Sequence, residues 1–138
     1  MAITAAICTS YKLQVLSGIH LSTDTYKFAL YTSAASLDST TTAYSATNEV
    51  SGTGYVAGGA TLTGFVTSSS GTTAWLTFNN PSWASSTITA RGALIYNSTQ
   101  ANKAVCVLNF VTDQTSTNGT FTYQMPTADA SNALIRLA

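Results

Sequence analysis

Few residues of this chain are His, Cys, Asp or Glu, the types that act most often as acids, bases or metal ligands, and they are scattered along the sequence. The 138 residues include one histidine, His20, and two cysteines, Cys8 and Cys106. The carboxylates stand singly in predicted loops: Asp24, Asp38, Glu49, Asp113 and Asp129. Triad catalysis needs a nucleophile, a base and an orienting acid, and glycosidase chemistry needs two carboxyl groups about 5–10 Å apart in space. The sequence indicates neither arrangement, so we predict no catalytic residues and no enzyme activity.

A small hydrolase of the cell envelope is the enzymatic alternative, and it needs a fold that brings two carboxylates or a Cys–His pair together. We expect His20 to sit at the C-terminus of a helix, where a positive charge is favoured. The apolar neighbours of Cys8 and Cys106 predict buried thiols, and a disulfide between the two cysteines is the alternative that the sequence leaves undecided. Two cysteines and one histidine cannot complete a four-ligand zinc site. We therefore predict neither a metal nor a cofactor.

The charge content of the chain bears on its partners. Charged residues make up 7% of the sequence and cancel to a net charge of zero, against about 25% in ordinary domains. The five basic residues form no cluster, so we expect neither nucleic acid nor an anionic membrane as a partner. Ser and Thr replace the missing charges. Such a surface desolvates easily against neighbouring subunits, which indicates an assembly, although Thr is also common simply because it favours β-strands.

The first predicted element is a short helix within residues 9–19. A hydroxyl residue can cap its start, and Gly18 suits the left-handed position after its end. Tyr11, Leu13 and Val15 also alternate, so a strand is the competing interpretation. The capping residues favour the helix.

The remaining pattern predicts about seven strands. They cover residues 25–31, 61–67, 73–78, 86–96, 103–110, 121–125 and 133–138, and turns are expected at 68–71 and 117–120. Gly92 is expected to mark a bulge or a close approach of two backbones, and Gly52, Gly54, Gly58 and Gly59 to adopt positive φ in turns. We predict a mainly β fold: one antiparallel β-sandwich or jelly-roll-like domain over residues 1–138 with one short N-terminal helix.

Aromatic residues could supply a contact patch. Most of them alternate along predicted strands, where packing in the core is the ordinary role. Tyr55 and Trp83 lie beside turn residues instead, so we expect them to be the most exposed aromatics and the first candidates for contact with a partner.

Several runs of residues resemble a recurring pattern in small structural proteins of tailed bacteriophages. The runs are residues 24–33 (DTYKFALYTS), 42–59 (TAYSATNEVSGTGYVAGG), 94–105 (LIYNSTQANKAV) and 125–130 (MPTADA), preceded by the helix that ends at Gly18-Ile19-His20. The likeness covers most of the chain. It implies a component of the virion and supplies no catalytic residues.

Among virion roles, the resemblance favours a capsid cement or decoration protein that binds the outer shell and stabilises it. The partners would be the major capsid protein, or other virion proteins, and copies of the chain in a homo-oligomer. The protein would be made in the host cytoplasm and end on the capsid surface. The alternative is a tail, head–tail junction or fibre-associated component, with host-glycan binding through exposed aromatics as one of its options.

Overall fold

Strands dominate the computed structural model, which describes residues 2–138. The elements are β1 (Ala6–Ile7), α1 (Thr9–Leu16), β2 (Tyr26–Tyr31), β3 (Ala60–Thr61), β4 (Val66–Ser70), β5 (Thr73–Thr77), β6 (Ser82–Asn97), β7 (Lys103–Thr122) and β8 (Ile135–Leu137). They form a five-stranded sheet in the order β1-β7-β6-β2-β3 and a three-stranded sheet in the order β4-β5-β8. All pairings between these strands are antiparallel. The predicted mainly β fold with antiparallel sheets and one short helix is confirmed.

The core is built around β2, an inner strand of the larger sheet. Every residue of β2 except Lys27 is buried, because β6 and β3 flank it in the sheet and other segments cover both of its faces. Tyr26 joins the two sheets, since its ring lies 5.5 Å from the ring of Phe65 and 5.4 Å from that of Phe78. Leu76 of β5 and Ile135 of β8 are also buried in this core. The arrangement is sandwich-like.

The helix prediction is confirmed, and so is its C-terminal signal. Gly18 has φ of 80°, and its N–H donates to the carbonyl of Val15 while the N–H of Ile19 donates to that of Gln14. This pair of hydrogen bonds is a Schellman motif. The expected hydroxyl cap at the start is wrong: the N-cap residue is Cys8, which makes no side-chain capping bond.

The structure corrects three boundaries in the β region. The predicted strand over 61–67 is divided, because Gly64 has φ of 69° and packs directly against the Asn79 side chain. The turn expected at 68–71 lies further on, since β4 continues to Ser70 and the chain reverses at Gly71. The turn expected at 117–120 is also wrong. Asn118, with φ of 47°, sits in a bulge inside β7.

The long hairpin of β6 and β7 has a regular half and an irregular half. From Gly92 to Asn97 the register with β7 is interrupted only near Tyr96. Gly92 itself confirms the expected close approach, because a Cβ there would lie 2.6 Å from the Leu108 carbonyl oxygen. Beyond Gly92, residues 110–113 of β7 stand opposite the single residue Arg91, so the strand forms a large bulge of four residues against one.

Candidate contact site

The helix and the C-terminal strand expose a set of apolar side chains on one side of the molecule. Leu13 and Leu16 of α1 are 67% and 87% exposed, and Leu137 of β8 is 54% exposed. Tyr11 is the buried residue of the helix. We define the α1–β8 surface as the residues that line the cleft between α1 and β8, which include Leu16 and Leu137 but not Leu13: Ile7, Tyr11, Lys12, Val15, Leu16, Arg136 and Leu137. The sequence predicted the helix but did not predict that its apolar side chains would be exposed.

Two further clefts adjoin the α1–β8 surface, so the concave apolar region is continuous. The cleft between α1 and the three-stranded sheet has a volume of about 200 Å³, shares Tyr11, Val15 and Leu137 with the surface, and is also lined by Phe65 and Trp75. On the other side of β8, a cleft of about 410 Å³ shares Ile7 and Arg136 and extends along Leu108 and Leu134. Large apolar patches of this kind usually mark a surface that contacts another molecule.

The charged side chains that line these clefts are of one sign, and the nearby Asp129, whose pKa Arg136 helps to lower, is not part of the lining. Among the residues that the structure describes, the charged side chains lining the three clefts are Lys12 and Arg136, with no Asp or Glu. Neither Lys12 nor Arg136 takes part in a salt bridge within residues 2–138. The one salt bridge in that range joins Arg91 Nε to Asp113 Oδ1 at 2.8 Å. Arg136 reaches only the Ala130 carbonyl, at 3.5 Å. Both cations are therefore available to a carboxylate of a partner.

His20 lies beside the α1–β8 surface and holds the helix to the hairpin. Its Nε2–H donates to Oε1 of Gln14 at 2.7 Å, and its Nδ1 accepts from Nδ2 of Asn97 at 3.2 Å. These partners require a neutral ring with the proton on Nε2. Burial lowers the pKa of His20 and Lys103 lowers it further, while Asp24 opposes the shift. The expectation that His20 would carry a favourable positive charge at the helix end is therefore wrong.

Asn97 connects His20 to Asp24. The Asn97 side chain is fully buried, and its Nδ2 donates to Oδ2 of Asp24 at 2.8 Å as well as to the imidazole. The hydrogen bond from Asn97 is the main reason that the pKa of Asp24 is lowered. The Asn97 Oδ1 accepts the backbone N–H groups of Thr99 and Gln100. The Asn97 amide thus makes four hydrogen bonds that fix the hairpin turn, which indicates a structural role.

Glu49 is the centre of a second polar cluster, which the sequence did not predict. Its carboxylate accepts hydrogen bonds from the Tyr44 hydroxyl at 2.6 Å, the Tyr55 hydroxyl at 2.5 Å and the Gly58 N–H at 2.8 Å. The Tyr96 hydroxyl donates to the Gly58 carbonyl, and its ring stacks on Tyr44 at 4.6 Å. Gly54, Gly58 and Gly59 have φ of 83°, 96° and 84°, as expected for turn glycines, whereas the same expectation is wrong for Gly52, which has no positive φ. The cluster closes the 44–59 loop over β2, and no Ser, Thr, Cys or His side chain within residues 2–138 is hydrogen-bonded to the carboxylate.

Tyr55 and Trp83, the predicted contact patch, lie side by side with ring centroids 6.1 Å apart. Trp83 is only 6% exposed and packs on Phe28 and Phe121, so the expectation that it would be exposed is wrong. Tyr55 is half-buried, and its hydroxyl is held between Glu49 and the Leu30 N–H. Adjacent turn residues misled the prediction, because the 52–54 loop folds back over β6 through a hydrogen bond from the Thr87 N–H to the Thr53 carbonyl.

The two cysteines are buried and free. Burial raises the pKa of Cys8 to about 11 and also raises that of Cys106, so both thiols stay protonated at neutral pH. In the described part of the chain, no three His, Cys, Asp or Glu side chains gather where they could hold a metal ion. No helix among residues 2–138 has the length and apolar character needed to cross a membrane.

A separate cleft of about 450 Å³ lies along the irregular half of β7. Phe110, Phe121 and Tyr123 contribute its aromatic side chains, and the rings of Phe110 and Tyr123 stack at 5.6 Å. The polar lining comes from Asn, Gln and Thr side chains, with no charged residue within the described chain. This combination is distinct from the largely apolar α1–β8 surface.

The chain was compared with models of protein families, with curated proteins and with solved structures, and none of the three comparisons found a match. The resemblance to virion proteins therefore stays a prediction.

Proposed function

We propose that this chain is a non-enzymatic structural component of a phage particle, and specifically a capsid cement or decoration protein. The observation that carries the proposal is the continuous apolar region formed by the α1–β8 surface and its two adjoining clefts. An eight-residue helix that exposes Leu13 and Leu16 leaves apolar area in water unless a partner covers it. The runs that resemble phage structural proteins supply the class of partner, the major capsid protein.

The polar clusters support a role without chemistry. The His, Asp and Glu side chains are occupied by internal hydrogen bonds, and the two cysteines are buried. His20 and Asp24 fix the hairpin turn, Glu49 closes a loop, and both cysteines lie in the core. A rigid domain with one uncovered face is what a cement protein requires, since many copies gain strength through multivalent attachment.

The test is the location of the protein in an electron-microscopy map of the intact particle. We expect copies distributed over the outer shell with the α1–β8 surface facing the capsid protein. Density confined to a single ring at one vertex or along the tail would contradict the cement role and favour the tail or junction alternative. Absence of the protein from purified particles by mass spectrometry would contradict the virion role altogether.

One observation favours a second candidate, a fibre-associated protein that binds host glycans. The cleft of Phe110, Phe121 and Tyr123 combines aromatic faces with uncharged hydrogen-bonding groups, as sugar sites do. Binding of the purified chain to a glycan array, lost in Tyr123→Ala and retained in Tyr55→Ala, would support this candidate. A chain that binds no glycan would remove it.

A further inference from the structure

The charge pattern of the α1–β8 surface specifies the partner that can cover it. Lys12 and Arg136 lie on the same cleft as the exposed Leu16 and Leu137. No Asp or Glu of the described chain lines that cleft or either neighbour. The whole chain has a net charge of zero, so this cationic rim is local and does not reflect a basic protein.

A second copy fits this surface poorly. A two-fold contact places the same patch of both subunits together, so the cations of one copy would face those of the other. Like charges in an interface oppose association, and the apolar surroundings would reduce their screening. A partner with carboxylates around apolar side chains would instead pair with both cations as the leucines are buried.

We propose that the α1–β8 surface binds a segment of a different protein in which Asp or Glu residues flank an apolar centre, and that Lys12 and Arg136 select this segment. In this arrangement Leu16 and Leu137 bury the apolar centre, and Lys12 and Arg136 line the same cleft, where carboxylates can reach them. The inference rests on the proposed function, in which the major capsid protein supplies the segment. If copies of the chain contact one another, the inference places that contact on a different face of the molecule.

The experiment measures binding of the purified full chain to shells assembled without it, by co-sedimentation at increasing salt concentration. We expect the Kd of the wild type to rise with salt, because salt weakens attraction between the cations and the carboxylates. Lys12→Glu with Arg136→Glu is expected to raise the Kd at low salt by about tenfold or more and to flatten the salt dependence. The matched control is Lys103→Glu, a cation outside the three clefts, with an expected Kd close to the wild-type value.

Leucine variants separate the apolar contact from the charge contact. Leu16→Asp is expected to abolish binding to the shells, whereas Leu21→Asp, another exposed leucine outside the three clefts, is expected to preserve it. Circular dichroism melting of each variant shows that it is folded. Both leucines are on the surface, so neither change is expected to lower stability by much.

Three results would overturn the inference while leaving the proposed function in place. One is wild-type binding that is insensitive to salt. Another is a charge-reversed double variant that binds as tightly as the wild type. The third is a self-association of the wild type, measured by sedimentation equilibrium, that Leu16→Asp abolishes, because a second copy would then cover the surface. Failure of the wild type to bind any shell would instead contradict the proposed function itself.

Discussion

The two halves of the β6–β7 hairpin are made by the same pair of strands but differ in almost every physical respect. In the half nearest the turn, Ala93, Leu94 and Ile95 of β6 and Val105 of β7 are fully buried. In the distal half, residues 111–115 of β7 are all exposed, and a large bulge and two smaller irregularities interrupt the register. The difference shows that strand pairing alone does not make a core. The near half is regular because other strands and loops cover it on both faces.

Backbone strain follows the same division. Val111 has φ of 70°, an unfavourable conformation for a β-branched residue, and it is 73% exposed. Its N–H is satisfied locally by Oδ1 of Asn109, and the ion pair of Arg91 with Asp113 closes the bulge. The bulges also interrupt the outer edge of β7, which would otherwise be a long free edge open to pairing with another chain. In the distal half, the same bulges that strain the backbone locally also prevent a long edge from pairing with another chain.

The largest expected difference between the halves comes from two valines of β7. Val105→Ala is expected to lower the free energy of unfolding by about 2–3 kcal/mol, because it removes two buried methyl groups and leaves a cavity. Val111→Ala is expected to change it by less than about 0.5 kcal/mol, because its side chain is exposed. Urea unfolding followed by tryptophan fluorescence measures both. Equal losses would show that the distal half is as tightly packed as the near half.

Two glycines give a smaller contrast. Gly92→Ala is expected to cost about 1–3 kcal/mol, because its Cβ would lie 2.6 Å from the Leu108 carbonyl oxygen and 2.8 Å from the Ile3 side chain. Gly119→Ala should cost under about 1 kcal/mol, since the nearest atom to its Cβ is the Thr117 carbonyl oxygen at 3.6 Å. Thermal melting of the two variants under one buffer condition makes the comparison. A neutral Gly92→Ala would mean that β7 can move away from β6 at this point.

A buried pair of serines tests how the distal half is held. The Ser86 hydroxyl lies 2.8 Å from the Ser116 hydroxyl and 3.0 Å from the carbonyl oxygens of Trp83 and Gly119. Ser86→Ala is expected to cost about 1–2 kcal/mol, because it leaves buried polar groups without a partner. Hydrogen exchange should show faster opening of residues 114–122 with little change near Leu94. Uniform acceleration along the whole hairpin would contradict separate behaviour of the two halves.

The smallest effect concerns pH and the turn of the near half. Burial lowers the pKa of His20, so below the ordinary value of 6.5 the unfolded chain binds a proton more readily than the folded chain does. The neutral ring makes its full contribution to the free energy of unfolding above pH 6.5. That contribution is lost as the pH falls through the lowered pKa of His20 in the folded chain. NMR titration should place the pKa of His20 below 6.5, and Asp24→Asn should lower it further by removing the opposing carboxylate. A pKa above 6.5 would contradict the neutral ring between Gln14 and Asn97.

The candidate site was predicted less well than the fold. The sequence marked the helix and its end at Gly18, yet eight residues with Tyr11, Leu13, Val15 and Leu16 do not reveal which side is covered. Trp83 was expected on the surface because it follows Pro81, but the loop at Gly52 and Gly54 packs on β6 beside it. Long-range packing decides exposure, and nothing adjacent in the sequence indicates it.

By itself, the sequence determined the features that depend on local chemistry. Alternation of apolar residues indicated β2 and β5, Gly18 ended the helix, Gly92 marked a close approach, and the low charge and scattered ionisable groups argued against catalysis. Only the tertiary structure decided that Asn118 is a bulge and not a turn, that Tyr44 and Tyr55 converge on Glu49, and that Leu16 stays exposed. The physical reason is that backbone preferences act between neighbours along the chain, whereas register, burial and hydrogen-bond partners depend on segments far apart in it.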